Sequence, residues 1–180
     1  MYQKWNRYRI LTAFFDEANR KWQLRQLERK VGIGLPSVKN HDEALLKEGL
    51  LRVDEEGSYR GYRESMGEMY RTYKSSDLLT RLRSSGLVRE LEERCAPNRI
   101  VLYGSGADGR DDERGDIDIF VESKERRIDL ERYEGELHRT ISLLFEPDAR
   151  KLNPELRNTI ANGIVLSGFL RVILWIGQNA

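Results

Sequence analysis

Apolar residues recur at helical spacing from near the start of the chain. Tyr8, Ile10, Leu11, Ala13, Phe14 and Phe15 form a first group, which Asn19 and Arg20 interrupt. Leu24, Leu27 and Val31 follow at three- and four-residue steps, and Gly32-Ile33-Gly34 closes this short second helix as a tight connection. Pro36 suits the first turn of a third helix, because the N–H it lacks has no partner there anyway. Val38, Leu45, Leu46 and Leu50 give that helix an apolar side, and Gly49 marks its end. Leu51-Arg52-Val53 and residues 59–63 then flank the polar, glycine-containing run 54–58, which predicts two short strands around a turn.

Residues 65–93 return to helix formers, with Leu78, Leu79, Leu82, Leu87 and Leu91 as the apolar stripe and Gly86 as a break. Pro97 ends the helical tendency, and Arg99-Ile100-Val101-Leu102-Tyr103 is a β-branched run fit for a strand. From 116 to 122 the pattern alternates, with Asp116, Asp118, Phe120 and Glu122 on one face and Ile117, Ile119 and Val121 on an apolar back. A helix over 129–139, a strand over 141–145, a helix over 154–161 and an apolar run over 164–166 complete the pattern. The stretch 163–176 is too short for a membrane span and carries Ser167 and Arg171, so it reads as a buried terminal strand or helix. The chain thus divides into an N-terminal unit, residues 1–72, and an α+β unit on a small sheet, residues 73–180.

Composition adds little direction. The 31 Lys and Arg nearly balance the 30 Asp and Glu, so a basic face, if there is one, must be local. Over residues 1–72 the basic excess is slight. Cys95 is the sole cysteine, which excludes an intrachain disulfide and a cysteine-based zinc cluster and fits a reducing compartment. The first residues are polar and aromatic where a signal peptide would be basic then apolar, so a cytoplasmic protein without a membrane partner is expected.

The chemistry concentrates in residues 102–119. Asp116 and Asp118, two apart on a strand, project side by side and offer oxygens to a hard divalent cation such as Mg²⁺. Gly104 and Ser105, leaving the preceding strand, offer backbone N–H groups and a hydroxyl to phosphate oxygens. An Asp-x-Asp pair alone is usually a solvated strand edge; the glycine-serine turn beside it is what raises it to a candidate site. The acidic run Asp111-Asp112-Glu113 reads as a solvated loop. His41 and His138 read as surface or helix-packing residues, and Trp5, Trp22 and Trp175 as fillers of cores or interfaces.

Two resemblances follow from these patterns. Three helices and a hairpin, with Val38 to Leu51 leading into a Lys-Glu-Gly-Leu-Leu close, resemble a winged helix-turn-helix from about residue 7 to 63. The resemblance implies double-stranded DNA as partner, read by Ser37, Lys39 and Asn40 at the start of the third helix, with Arg60, Tyr62 and Arg63 of the wing on phosphate or the minor groove. Asp42 stands where such a helix has an apolar core residue, which predicts shifted or partly solvated packing. The constellation Gly104, Ser105, Gly109, Asp116 and Asp118 resembles the nucleotidyltransferase superfamily that includes DNA polymerase beta, above all its minimal members, over residues 76–170. The fold implied is α+β: an N-terminal winged helix-turn-helix plus a C-terminal small mixed-sheet nucleotidyltransferase fold.

That second resemblance implies transfer of a nucleoside monophosphate from a nucleoside triphosphate to a macromolecular acceptor. Gly104, Ser105 and Gly109 would bind the nucleotide, and Asp116 and Asp118 would be the catalytic carboxylates that hold Mg²⁺. Minimal members often act as antitoxins on a partner toxin, which implies a protein acceptor, and a homodimer is compatible with such regulators. Two positions depart from the family pattern. Gly115 replaces a frequent serine, and Ser142 occupies the place of the third carboxylate, a neutral hydroxyl that cannot serve as general base. Glu146, four residues on along the strand, would lie roughly 13 Å away. The alternative is a catalytically weak or inactive, nucleotide-sensing transcriptional regulator; a third reading is a scaffold that only mediates oligomerisation.

Overall fold

Residues 2–112 and 115–169 are described by the computed structural model, in chain order α1 (Tyr2–Asp16), α2 (Leu24–Val31), α3 (Leu35–Lys47), β1 (Leu51–Asp54), β2 (Gly61–Glu64), α4 (Glu68–Ser84), α5 (Leu87–Cys95), β3 (Arg99–Tyr103), α6 (Gly104–Asp108), β4 (Ile117–Val121), α7 (Glu131–Leu137), β5 (Ile141–Phe145), α8 (Pro154–Ala161) and β6 (Ile164–Gly168). Trp175 and the end of the apolar stretch 163–176 lie outside the described residues. The combination of helices with a mixed sheet is the α+β class expected. Among the described residues no helix is long and apolar enough to cross a membrane.

In the N-terminal unit, α1, α2 and α3 close around Ile10, Phe14, Leu27, Val38 and Leu45, all fully buried. Trp22 joins this core, edge-on to Phe14 with ring centroids 6.3 Å apart. Trp5, by contrast, is 64% exposed and fills no core of this chain. The hairpin is antiparallel, Leu51 facing Glu64 and Asp54 facing Gly61. Its second strand begins two residues later than the pattern predicts, because Tyr62 exchanges both backbone hydrogen bonds with Trp22, at 2.9 and 2.8 Å. That bridge fixes the register and leaves Tyr59 and Arg60 exposed before the strand.

The second unit is a four-stranded sheet in the order β5-β4-β3-β6, with β4 and β5 parallel and the other pairs antiparallel. The parallel pair requires a crossover, which α7 supplies. Register decides the faces. Ile100, Leu102, Ile117, Ile119, Val121 and Ile141 point to one side, where Leu78, Leu82, Leu87, Leu91, Tyr133 and Leu137 from α4, α5 and α7 cover them. Val101 and Phe120 point to the other side, beneath Ile160 of α8 and Ala149. The face of β4 that carries the acidic residues is therefore itself buried at Phe120. α8 starts as the sequence dictates, Asn153 Oδ1 accepting from the Leu156 N–H at 2.8 Å and Pro154 in the first turn.

α4 belongs to both units. Tyr70 packs in the first core, edge-on to Phe15 at 5.3 Å, while Leu78 and Leu82 pack in the second. The expected boundary at 72/73 falls inside this continuous helix. Arg81 of α4 also pairs with Asp16 of α1 at 2.7 Å, and Tyr8 of α1 donates to Asp77 of α4.

Asp42 is not solvated. It is 1% exposed, neither carboxylate oxygen has a hydrogen-bond partner, and burial pushes its pKa from 3.8 up to about 7. Between those values the folded chain holds a proton that the unfolded chain has released, so this group's contribution to stability falls as pH rises and is lost above the folded value. Asp42→Leu, of similar branching, is expected to raise stability at about pH 8 by about 1–3 kcal/mol and to gain much less at about pH 5. Urea unfolding at both pH values checks this; an equal effect at the two would rule out the buried carboxylate as the cause.

Candidate active site

The site lies where β4 begins and β3 ends. Strand register sets Asp118 between Tyr103 of β3 and Ser142 of β5, the three side chains sharing one face. Asp116, just before β4, is exposed and near enough for its charge to act on Asp118. Burial, then the neighbouring Asp116 carboxylate, raise the pKa of Asp118, while Arg139 opposes the shift. A divalent cation held by the two carboxylates would relieve that repulsion. Two carboxylates suit Mg²⁺, which takes its other ligands from water and substrate phosphates. Among the described residues no group of three or more His, Cys, Asp or Glu converges to hold a metal without such help.

Gly104 and Ser105 form the first turn of α6, directly after β3 without an intervening loop. The opening N–H groups of any helix lack intrahelical acceptors. Gly104 has φ +72°, and a Cβ there would come within 2.8 Å of Asp118 Oδ2, so only glycine leaves the carboxylate its place. Ser105 is exposed, on the wall of a cavity of about 470 Å³ that Asp108, Arg110, Thr159 and Asn162 also line. This volume falls in the range of small-ligand sites.

Gly109 serves a different contact. It ends α6 at φ +65°, buried, where a Cβ would lie 2.2 Å from the Arg71 carbonyl oxygen, so its missing side chain lets α6 sit against α4. Ser142 stands beside Asp118 as expected, and β5 brings no acid to that row. Glu146 lies past the end of β5, where its Oε1 accepts from the Asp148 N–H at 3.0 Å.

Three residues at the site escaped the sequence pattern. Asp111 is not part of a solvated loop: it is buried, paired with Arg139 and lying 3.5 Å from Lys74 Nζ, and its carbonyl accepts from Lys74. Arg139 follows His138, which ends α7 at the surface with φ 54°. Arg110, exposed beside Ser105 and paired with Asp108, puts a cation at the cavity rim.

The residues expected to read DNA lie elsewhere, in the N-terminal unit. Lys39 and Asn40 are exposed in the first half of α3, and Ser37 is half-buried. Arg60 is exposed. Tyr62 packs half-buried against the first core, and Arg63 is held by Asp54 and the Asn19 carbonyl.

Gly104→Ala is expected to cost about 1–2 kcal/mol for the left-handed backbone, plus a further loss from the contact with Asp118. Gly49→Ala, at φ +68° with open space around it, isolates the backbone part. In a thermodynamic cycle the extra loss at Gly104 should shrink when Asp118 is also changed to Ala; simple additivity would mean that the contact carries no energy.

No curated protein and no solved structure matches the chain. Residues 84–163 match the family described as the nucleotidyltransferase domain. That segment contains β3, α6, β4, α7, β5 and α8, and with them the glycine turn, both aspartates and Ser142. The part of the chain that builds the site is therefore the part similar to nucleotidyltransferase domains.

Proposed function

We propose that this protein transfers a nucleoside monophosphate from a nucleoside triphosphate to a macromolecular partner. The observation that carries the reading is the close approach of Gly104 to Asp118, beside Asp116 and the Ser105 turn. Mg²⁺ bound there would neutralise charge on the phosphates and polarise the attacking oxygen. The chain's own groups do the rest. Asp116 and Asp118 hold the cation, and Ser105 with the first turn of α6 holds the phosphates. Arg110 offsets negative charge at the rim. In the reaction the acceptor oxygen bonds to the α-phosphorus and gives up its proton to solvent water, the bond from that phosphorus to the α–β bridging oxygen breaks, and pyrophosphate leaves.

The N-terminal unit we read as a winged helix-turn-helix on double-stranded DNA, with Lys39, Asn40 and Arg60 as its free contacts. The three helices, the hairpin and the exposure of these residues support this reading. A protein acceptor of the toxin kind and a homodimer are consistent with it. One observation favours a second reading: with Ser142 opposite Asp118, no side chain in that row takes the acceptor's proton. On that reading the domain binds nucleotide without turnover and governs DNA binding.

Calorimetric titration with each nucleoside triphosphate, with and without Mg²⁺, is expected to show magnesium-dependent binding that Asp116→Asn/Asp118→Asn abolishes. Absence of binding by the native chain would sink both readings of the site. Transfer of label from α-labelled nucleotide to an acceptor then separates enzyme from sensor. Duplex affinity is expected to fall steeply with salt, and Lys39→Ala/Arg60→Ala to weaken it by about tenfold. An unchanged affinity would remove the proposed DNA surface.

A further inference from the structure

We infer that Arg139 is a positioning residue for the carboxylate pair: held from behind by Asp111, which Lys74 anchors in turn, it grips the main chain of Gly115 and Asp116 and so sets the Asp116 carboxylate beside Asp118. The inference rests on the reading of these two aspartates as metal ligands.

Asp116 precedes β4, so the ladder that fixes Asp118 does not reach it. On its far side the Ile117 N–H donates to the Thr140 carbonyl at 2.9 Å; the Gly115 and Asp116 carbonyls are held by a side chain. Arg139 Nε and Nη2 both donate to the Gly115 carbonyl, at 3.0 and 2.6 Å, and Nη2 also donates to the Asp116 carbonyl at 3.2 Å. The remaining arm, Nη1, pairs with Asp111. The planar fork of a guanidinium can serve these acceptors at once, whereas an ammonium cannot span them.

The back of this clamp is buried. The side chains of Lys74 and Asp111 are 6% and 3% exposed, and that of Arg139 is 13% exposed. Lys74 comes from α4, Asp111 from the segment after α6, and Arg139 from the turn after α7. Buried ion pairs rarely gain much stability over apolar packing, so two buried charges and a half-buried one at the foot of this strand suit a task of orientation. Arg139 also acts on Asp118 as a favourable charge, which moderates the repulsion between the two carboxylates. The geometry resembles an outer-shell contact of a metal centre, where the partner of a ligand sets its aim.

Arg139→Lys keeps the charge against Asp111 but loses the fork, and Asp111→Asn keeps an acceptor for Arg139 while removing charge. Each variant is compared with the native full-length chain by Mn²⁺ titration followed by electron paramagnetic resonance, and by amide hydrogen exchange. Arg139→Lys is expected to weaken Mn²⁺ binding by about tenfold or more and to speed exchange at residues 115–118. Exchange across the middle of β3 should stay native, which a general loss of fold would not allow. Asp111→Asn should give a smaller change in the same direction and stands in if Arg139→Lys fails to fold. Native Mn²⁺ affinity, within about twofold, in a folded Arg139→Lys protein overturns the inference and leaves the proposed function standing. If the native chain itself binds no Mn²⁺, the metal reading fails, and unchanged exchange at residues 115–118 then overturns the positioning role as well.

Discussion

The structure turns on one strand that must do two incompatible things. β4 lies inside the sheet, paired on both edges, and in its body both faces are dry: Ile117, Ile119 and Val121 under α4, α5 and α7, and Phe120 under α8. A charged side chain in that body would be buried without compensation. The carboxylates are therefore confined to the start of the strand, where the helices no longer cover it. From this confinement follow the glycine at 104, which must make room for Asp118, and the direct entry of β3 into α6, which brings the glycine-serine turn to the same end of the sheet.

Confinement to an edge also creates a problem of aim. A residue inside a ladder inherits its direction from its neighbours, but Asp116 sits outside the ladder. The protein meets this with buried charge rather than with more strand. Lys74, Asp111 and Arg139 converge from separate parts of the chain behind the turn. Desolvating three ionic groups is expensive, and their mutual attraction roughly offsets that cost without adding much. What such a cluster supplies is a fixed geometry, since Asp111 cannot leave without stranding both Lys74 and Arg139.

Local signals were legible and non-local ones were not. The start of α8 could be read from Asn153-Pro154, and β4 from its strict alternation, because capping and pleat act over a few residues. Asp111 reads as solvated because it sits in an acidic run, while its partners lie 37 and 28 residues away in sequence. Nothing short-range marks Arg139 as a clamp. Asp42 was recognised as out of place, but its full burial follows from the packing of α3 against the rest of the first core, which no pattern within α3 encodes. Gly109 was read for phosphate and Tyr62 for DNA; the close approach of the Arg71 backbone and the bridge to Trp22 are tertiary facts that give each a structural duty.

Helix α4 has a bearing on how such a chain can change over evolutionary time. Its 17 residues, a rod of about 25 Å, give Tyr70 to one core, Leu78 and Leu82 to the other, and Lys74 to the cluster between them. A recombination joint anywhere within the rod would hand one half a helix shaped for the other. A new N-terminal module could therefore be exchanged in only if it brought its own match for the first turns of α4.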